Sequence, residues 1–319
     1  MLLLHETHSV AGTHEDAFDT CLRDATTALE HANIENAEFL ARHILCEVTG
    51  LTPAQLLLQA EAAIGPDALH WFKAFLKRTC AHEPLSRITG TKEFHGRTFK
   101  LNEATLDPRP DSETLIEAVI EIAKEQDAKG WEKKAFRFID IGTGTGCLAI
   151  TLLAIFPNAR ALATDIEDKA LEAARQNASD QGVLDRLQLS NKKSLEEIEG
   201  PFDLLISNPP YIPTPEISAL APEVREHDPI KALDGGPDGL DVYRQIAKRL
   251  KTVIPQGWAV FEVGASQAHD VLDIFQKIQI GGHRLWKDLS SHTRCVAVRT
   301  HCASRHQKCF EISLKPDTL

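Results

Sequence analysis

The first 90 residues carry apolar side chains at helical spacing, and short apolar runs replace that pattern further along the chain. Between residues 17 and 48 the apolar positions recur three and four residues apart, which predicts a helix that ends at Gly50. Thr52-Pro53 predicts the start of a second helix, because threonine caps helices and proline suits their first turn. Pro66 predicts the start of a third. The pattern therefore predicts a small helical domain that contains no evident catalytic set.

Residues 91–112 are predicted to form a hairpin followed by an extended linker. Gly96 lies in the middle of a short alternating stretch and favours a tight turn there. Two prolines in the sequence Asp107-Pro108-Arg109-Pro110 hold the linker extended. Asp111 or Ser112 is predicted to cap the helix that follows.

Strand and helix patterns alternate between residues 113 and 300, which predicts an α/β domain with a mostly parallel sheet covered on both faces. The predicted strands are 136–141, 160–165, 202–207 and 258–263, with a closing antiparallel pair at 283–289 and 293–298, and the predicted helices are 113–124, 147–156, 169–178, 240–250 and 265–278. Residues 301–319 form a polar tail. Cys302, His306 and Cys309 in that tail lack an opposing pair of ligands, so we predict no metal site.

Composition places the chain among ordinary globular proteins. It has 319 residues, of which 43% are hydrophobic, and no apolar run is long enough to cross a bilayer. Seven scattered cysteines without a Cys-x-x-Cys pair indicate reduced thiols and hence the cytoplasm. The net charge of −11 argues against a stable nucleic-acid partner. We expect a cytoplasmic monomer without membrane attachment.

A glycine-rich loop links the first predicted strand to the helix after it. The loop reads Asp140-Ile141-Gly142-Thr143-Gly144-Thr145-Gly146. Its glycines allow a ligand to approach the backbone, and the helix N-terminus beyond them favours a carboxylate or phosphate. The dinucleotide pattern G-x-G-x-x-G is not met, which argues against NAD.

The acids around this loop point to a particular cofactor. Asp140 can bind an ammonium group, so the loop suits a ligand with both an amino and a carboxylate group, and S-adenosylmethionine has both. Asp165 ends the second predicted strand, where an acid can accept hydrogen bonds from both ribose hydroxyls. The sequence thus predicts S-adenosylmethionine as the cofactor.

A second motif, Asn208-Pro209-Pro210-Tyr211, ends the strand predicted at 202–207. The prolines cannot continue a central strand, so a rigid turn follows. The Asn208 side-chain oxygen and the Pro209 carbonyl can each accept one hydrogen of a planar NH2 group, while the Tyr211 ring lies against its flat face. This tetrapeptide resembles the signature of methyltransferases that modify amide or exocyclic amino nitrogens.

The chain resembles the release-factor glutamine N5-methyltransferases, relatives of the enzyme that modifies ribosomal protein L3, from about Leu85 to Val298. The motifs that carry the resemblance are Pro108-Arg109-Pro110-Asp111, Gly142–Gly146, Asn208–Tyr211, Glu223-Val224-Arg225, Ala232-Leu233-Asp234-Gly235-Gly236-Pro237-Asp238-Gly239-Leu240 and Phe261-Glu262-Val263-Gly264.

The resemblance implies a Rossmann-like class I methyltransferase sheet at residues 113–300, preceded by a small helical substrate-recognition domain at residues 1–90. It implies that the methyl group of S-adenosylmethionine moves to the glutamine of the Gly-Gly-Gln motif in peptide-chain release factors. The implied cofactor residues are those of the loop from Asp140 to Gly146 and Asp165, with Asn208 beside them. The implied substrate residues are Asn208, Pro209, Pro210 and Tyr211, with Arg109 and Pro110 at the border of the pocket, and Asn208 and Tyr211 are the expected catalytic pair.

Two positions depart from the family pattern. Where the family has an acid and an aromatic near the adenine, this chain reads Ser190-Asn191-Lys192-Lys193, so Asn191 or Lys193 is expected beside the adenine without a stacking ring. Asp107 replaces an apolar residue that commonly precedes Pro-Arg-Pro.

Three other functions remain open at this stage. A glutamine methyltransferase acting on ribosomal protein L3 would use the same motifs. An adenine-N6 methyltransferase of nucleic acid shares Asn-Pro-Pro-Tyr, although the acidic charge disfavours it. A non-catalytic binding protein with a relic pocket is disfavoured by the intact Asn208–Tyr211.

Overall fold

The computed structural model describes residues 17–125, 131, 135–192, 197–288 and 290–300. The chain divides into two compact units, Met1–Thr89 and Gly90–Leu319. Lys193 and the tail 301–319, on which the sequence analysis made predictions, lie outside the described residues.

The first unit is helical in its described part. Its helices are α1 (Phe18–His31), α2 (Ala37–Thr49), α3 (Pro53–Leu58), α4 (Pro66–Cys80) and α5 (Leu85–Thr89). The predicted single helix over 17–48 is wrong, because the chain breaks between α1 and α2. Asn33 and Asn36 both have φ of 56° in that break, a left-handed conformation that asparagine tolerates. The break lets the two helices pack on each other through Ala25, Leu29 and Ile44.

The predicted helix ends in this unit are confirmed. Gly50 closes α2 with φ of 69°, and its N–H donates to the Cys46 carbonyl at 2.8 Å. Thr52 and Gln55 form a reciprocal capping box: Thr52 Oγ1 accepts from the Gln55 N–H at 3.3 Å, and Gln55 Oε1 accepts from the Thr52 N–H at 2.9 Å.

The second unit alternates strands and helices. Its strands are β1 (Thr91–Phe94), β2 (Arg97–Lys100), β3 (Arg137–Ile141), β4 (Arg160–Thr164), β5 (Leu187–Ser190), β6 (Leu204–Ser207), β7 (Trp258–Glu262), β8 (Gly282–Lys287) and β9 (Thr293–Arg299). Its helices are α6 (Glu113–Glu125), α7 (Cys147–Ile155), α8 (Asp168–Asp180), α9 (Pro222–Arg225), α10 (Ile230–Leu233), α11 (Asp241–Val253) and α12 (Ala268–Gln276).

Seven of these strands form one sheet in the order β5-β4-β3-β6-β7-β9-β8. The first five are parallel, whereas β9 runs antiparallel to both β7 and β8. The predicted mostly parallel sheet with a closing antiparallel pair is therefore confirmed. The sequence analysis missed β5, which is only four residues long.

Both faces of this sheet are buried. In β6, Leu204 and Ile206 join a core formed with α6 and α7, whereas Leu205 joins the opposite core with α11 and α12. All four residues of β6 are buried, which is why Leu204-Leu205-Ile206 form a continuous apolar run rather than an alternating pattern.

The predicted hairpin turns at Gly96 as expected. His95 and Gly96, with φ of 50° and 68°, form the two-residue turn between β1 and β2. The expected cap of α6 by Asp111 or Ser112 is wrong. A 3-10 turn over Pro110–Ser112 leads directly into α6, and the Ser112 hydroxyl instead donates to Glu262.

Among the described residues, none of the helices combines the length and the apolar character needed to cross a bilayer.

Substitution of Gly257, just before β7, tests how closely the backbone packs against Asp203. A Cβ added there would lie 2.1 Å from the Asp203 carbonyl oxygen, which is backbone and cannot swing away. We expect Gly257→Ala to lower the free energy of unfolding by about 1–3 kcal/mol. Gly282→Ala is the matched control, because its Cβ would meet nothing within 4 Å. Chemical denaturation of both variants measures the difference, and equal stability of the two would contradict the packing seen here.

Candidate active site

The two sequence motifs meet where the order of the sheet reverses. After β3 the chain adds β4 and β5 on one side, and then returns to place β6 on the other side. Asp140 of β3 pairs with Ile206 of β6, and Ser207 Oγ donates to the Ile141 carbonyl at 2.7 Å. The glycine loop and Asn208 therefore leave adjacent strands at the same edge, which is where open α/β sheets bind ligands.

The glycine loop has a backbone that side chains would disturb. Gly142, Gly144 and Gly146 have φ of 71°, 54° and 81°, all in the left-handed region. A Cβ on Gly146 would also lie 2.8 Å from Ile150 Cδ1 and 3.2 Å from Ala174 Cβ, so this glycine allows α7 and α8 to approach. The loop is fastened from α8, where Asn177 Nδ2 donates to the Thr145 carbonyl at 2.9 Å.

Asp165 lies directly beside this loop. Its Oδ2 accepts from the Gly144 N–H at 2.9 Å, and its Oδ1 accepts from the Glu167 N–H at 3.0 Å. Burial raises the pKa of Asp165, although both N–H groups favour its charged form. Each carboxylate oxygen has a second lone pair, so Asp165 can still accept from two hydroxyls of a ligand.

Asp140 is fully buried at the end of β3. Thr143 Oγ1 donates to its Oδ2 at 2.7 Å, whereas its Oδ1 has no hydrogen-bond partner within the described ranges. Burial raises the pKa of Asp140 to about 7, with the Thr143 bond acting in the opposite direction. A cationic ligand group would satisfy Oδ1 and remove this cost, so the residue fits the ammonium of an amino-acid ligand.

Asn191 follows β5, which pairs with β4 as far as Thr164 and Ser190. The Asp165 N–H donates to the Ser190 carbonyl at 3.3 Å, so Asn191 leaves the strand end next to Asp165. Its side chain is exposed and donates to Asp168 Oδ1 at 3.0 Å. Lys193, the other residue expected near an adenine, lies outside the described residues.

The Asn208–Tyr211 turn is built against the loop Asp234–Gly239. A Cβ on Gly235 would lie 2.7 Å from the Pro210 carbonyl oxygen, and one on Gly239 would lie 2.2 Å from the Tyr211 carbonyl oxygen. The Gly235 N–H also donates to the Ile212 carbonyl at 2.9 Å. The glycines of this loop are therefore required for close backbone approach to the turn.

A buried carboxylate holds both ends of the turn. Ser112 Oγ donates to Glu262 Oε2 and accepts from Asn208 Nδ2 at 3.1 Å. The Tyr211 hydroxyl donates to the other oxygen, Glu262 Oε1, at 3.3 Å. Burial raises the pKa of Glu262 to about 7 and also raises that of Tyr211. Glu262 itself is held in place by Tyr243, whose hydroxyl donates to its backbone carbonyl at 2.7 Å.

Arg109 and Pro110 lead into the turn that carries Ser112. Arg109 Nη2 lies 2.5 Å from the buried Asp228 Oδ2. Pro110 begins the 3-10 turn that places Ser112 against Asn208. Pro110 therefore lies close to Asn208, because only one residue separates it from Ser112. The Arg109 guanidinium is instead engaged in an ion pair with Asp228.

Sequence reasoning gave Ser112 and Glu262 no functional role. The sequence predicts a helix cap at Ser112, and Glu262 enters only as part of a motif that carries the family resemblance. One signal was available for Glu262: it ends β7, a strand in which every residue is buried, and an ionisable group there needs a specific partner. Nothing in the local sequence of Ser112 indicates a partner 150 positions away.

Comparisons with known proteins agree with this geometry. A family model described as the PrmC N-terminal domain matches residues 20–90, and one described as the methyltransferase small domain matches residues 126–221. The hMettl16 catalytic domain, solved in complex with the MAT2A 3'UTR hairpin 1, matches with a TM-score of 0.52 at 14% identity over 76% of this chain and 94% of that chain. At this identity the similarity concerns the fold alone. The predicted Rossmann-like methyltransferase sheet is thereby confirmed.

Sequence relatives narrow the class further. The release factor glutamine methyltransferase of Bradyrhizobium diazoefficiens is 39% identical over 285 residues, which cover 89% of this chain and 95% of that protein. The release factor glutamine methyltransferase of Rhodospirillum rubrum is 38% identical, over 86% of this chain and 82% of that protein. The chain belongs to the release factor glutamine methyltransferase family, as the resemblance in its motifs indicated.

Asp140 makes the stability of the ligand-free protein depend on pH. Its pKa is about 7 in the fold and about 3.9 in an unfolded chain, so the native state binds more protons between these values. The free energy of unfolding is therefore highest, as far as Asp140 is concerned, at low pH. It falls as the pH rises towards 7, by roughly 4 kcal/mol at most.

The test compares wild type with Asp140→Asn, which cannot ionise, by denaturant unfolding from pH 4.5 to 8. We expect wild type to lose stability relative to the variant as the pH rises. Substitution of the exposed Glu172 by glutamine is the control and should leave the wild-type slope in place. A pH-independent difference between wild type and Asp140→Asn would contradict the raised pKa.

Proposed function

We propose that this protein transfers a methyl group from S-adenosylmethionine to the side-chain amide nitrogen of the Gly-Gly-Gln glutamine in peptide-chain release factors. The observation that carries the proposal is the direction of the Asn208 amide. Its Nδ2 is committed to Ser112, so its Oδ1 is left as an acceptor beside the glycine loop. The names and the extent of similarity of the relatives support the same substrate.

The cofactor would lie along the carboxyl edge of β3, β4 and β5. Asp140, whose buried Oδ1 has no hydrogen-bond partner among the described residues, would meet the ammonium group, and the backbone of Gly142–Gly146, including Thr143 and Thr145, would surround the amino-acid end. Asp165 would accept from the ribose hydroxyls. Asn191 would lie near the adenine, and Lys193, the other residue expected there, lies outside the described residues. When bound, S-adenosylmethionine supplies an electrophilic methyl group on a sulfonium.

The substrate amide would be held by the Asn208–Tyr211 turn. Asn208 Oδ1 and the Pro209 carbonyl accept no hydrogen bond from the described parts of the chain, so both are available for the two N–H groups of a primary amide. The Tyr211 hydroxyl is anchored on Glu262, which fixes the ring as a wall beside them. Pro210 keeps the turn rigid, and Pro110 and Arg109 would border the pocket.

These residues would favour an otherwise slow reaction. An amide nitrogen is a weak nucleophile because its lone pair is delocalised into the carbonyl. Two acceptors at fixed positions orient the nitrogen and stabilise positive charge as it develops there. No general base is needed before the transfer, because the alkylated amide nitrogen loses its proton readily.

The helical unit would recognise the protein substrate. No catalytic set is evident among its described helices, and its match to the PrmC N-terminal domain at residues 20–90 supports a role that accompanies this family's methyltransferase domain.

Asp165→Ala tests the place of the cofactor. Loss of a charged acceptor costs about 1.5–3 kcal/mol, so we expect affinity for S-adenosylmethionine to fall at least about tenfold. Isothermal titration calorimetry measures it. Asp185→Ala is the matched control, because Asp185 is exposed and precedes the start of β5, at the opposite edge of the parallel strands. Unchanged affinity in Asp165→Ala would place the ribose elsewhere.

Asn208→Ala tests the chemistry. Its loss removes an acceptor that strengthens as the nitrogen becomes positive, so we expect the single-turnover rate to fall about 10²–10³-fold while substrate binding changes less. Tyr211→Ala should reduce the rate by a smaller factor. The assay follows labelled methyl transfer to a purified release factor, with circular dichroism to confirm folding. A folded Asn208→Ala protein with normal turnover would remove the turn from the mechanism.

The same assay separates the other acceptors. A release factor in which the Gly-Gly-Gln glutamine is replaced by alanine should receive no methyl group. Ribosomal protein L3 and DNA serve as alternative acceptors in parallel reactions. Faster transfer to either than to the release factor would overturn the proposed substrate.

A further inference from the structure

Glu262 bonds directly to Tyr211 at one end of the Asn208–Tyr211 turn and, through Ser112, is linked to Asn208 at the other. It is buried, and its two oxygens accept from different residues: Oε2 from Ser112 and Oε1 from Tyr211. Glu262 would not touch the substrate amide itself, because Ser112 and Tyr211 lie between them.

The direction of the hydrogen bond from Ser112 to Glu262 determines which end of the Asn208 amide can bond to Ser112. A serine has one proton to donate. An ionised carboxylate only accepts hydrogen bonds, so the Ser112 hydroxyl donates its proton to Glu262. Towards Asn208, the Ser112 oxygen can then act only as an acceptor. Asn208 therefore turns its NH2 group inward to Ser112, at 3.1 Å, and its oxygen outward.

We propose that Glu262 is a positioning residue that, through Ser112, fixes the Asn208 amide with its oxygen towards the substrate nitrogen. This inference rests on the proposed function for the identity of the substrate. The orientation of Asn208 itself does not, since the hydrogen-bond chain Asn208–Ser112–Glu262 belongs to the free protein.

Protonation of Glu262 removes this constraint. A neutral carboxyl can donate to Ser112 Oγ, which frees the serine proton to bond to Asn208 Oδ1 and lets the amide turn over. An outward NH2 group would then face the NH2 group of the substrate, donor against donor. The pKa of Glu262, raised to about 7 by burial, places this change in an accessible range of pH. The ionisable groups that face Glu262 are Asp111, Cys147, Tyr211, Tyr243, Arg294 and Cys295.

The first experiment reads the orientation without activity. The side-chain NH2 resonances of Asn208 are observed by NMR on protein labelled at asparagine nitrogen, and are assigned by their absence in Asn208→Ala. We expect them to shift with pH around a midpoint near 7 in wild type and to lose that transition in Glu262→Gln and Ser112→Ala. Circular dichroism confirms that each variant is folded, and Ser112→Ala suffices if Glu262→Gln fails to fold. An Asn208 resonance without a transition in wild type, or with the same transition in Ser112→Ala, would overturn the inference.

The second experiment follows single-turnover methyl transfer at saturating cofactor from pH 5.5 to 9. We expect the wild-type rate to fall below pH 7. Ser112→Ala should lose roughly tenfold in rate at pH 8 with little change in KM, and should lack the fall at low pH. Tyr211→Phe is the matched control, because it removes only the other bond to Glu262 and should keep that fall.

A third measurement uses a ligand that requires the opposite orientation. A release factor with glutamate in place of the Gly-Gly-Gln glutamine offers only acceptor oxygens at high pH. Wild type should bind it weakly relative to the glutamine form, and Ser112→Ala should narrow that difference about tenfold, because Asn208 can then turn its NH2 group outward. Undiminished discrimination in Ser112→Ala would contradict the role of Ser112. If wild type fails to methylate the release factor while the Asn208 resonance behaves as expected, the proposed function fails and the positioning chain stands.

Discussion

The parallel pairing of β3 with β6 is the constraint on which the site depends. It joins the two halves of the parallel part of the sheet, β5-β4-β3 and β6-β7, and its register sets Asp140 against Ile206. A shift of one residue would move Leu205 to the wrong core and turn Asn208 away from the edge. The apolar packing on both faces of β6 therefore also fixes the position of the glycine loop relative to the Asn208–Tyr211 turn.

Much of the fold follows from local sequence, and the exceptions have local reasons. The apolar runs Leu204–Ile206 of β6 and Trp258–Phe261 of β7 belong to strands buried on both faces, and these runs lack the periodic polar positions of an amphipathic helix. The edge strand β5 pairs only with β4 and has four residues that alternate between apolar and polar, which is too short a pattern to predict a strand. The break between α1 and α2 depends on left-handed backbone at Asn33 and Asn36, which apolar spacing does not register.

The candidate site could be predicted from the sequence only for residues whose own side chains would contact a ligand. Asp165 and Asn208 carry acceptors at strand ends, and the structure places both at one edge of the sheet. Ser112 and Glu262 are hydrogen-bonded to each other across 150 positions of the chain, and local sequence patterns do not indicate such a bond. Sequence therefore identifies the groups that would meet the ligands more readily than the groups that orient them.

Asn177 has a consequence for the outer edge of β2 in the hairpin β1–β2. Its amide donates to the Lys100 carbonyl at 3.0 Å and accepts from the Lys100 N–H at 2.8 Å, which reproduces the paired bonds of a neighbouring strand. Gln181 Nε2 donates to the Thr98 carbonyl at 3.1 Å on the same side of β2. The outer edge of the hairpin is thus occupied by side-chain amides of α8 and the residue after it. A free edge of this kind would be a template for strands of other chains, and these two side chains close it to them.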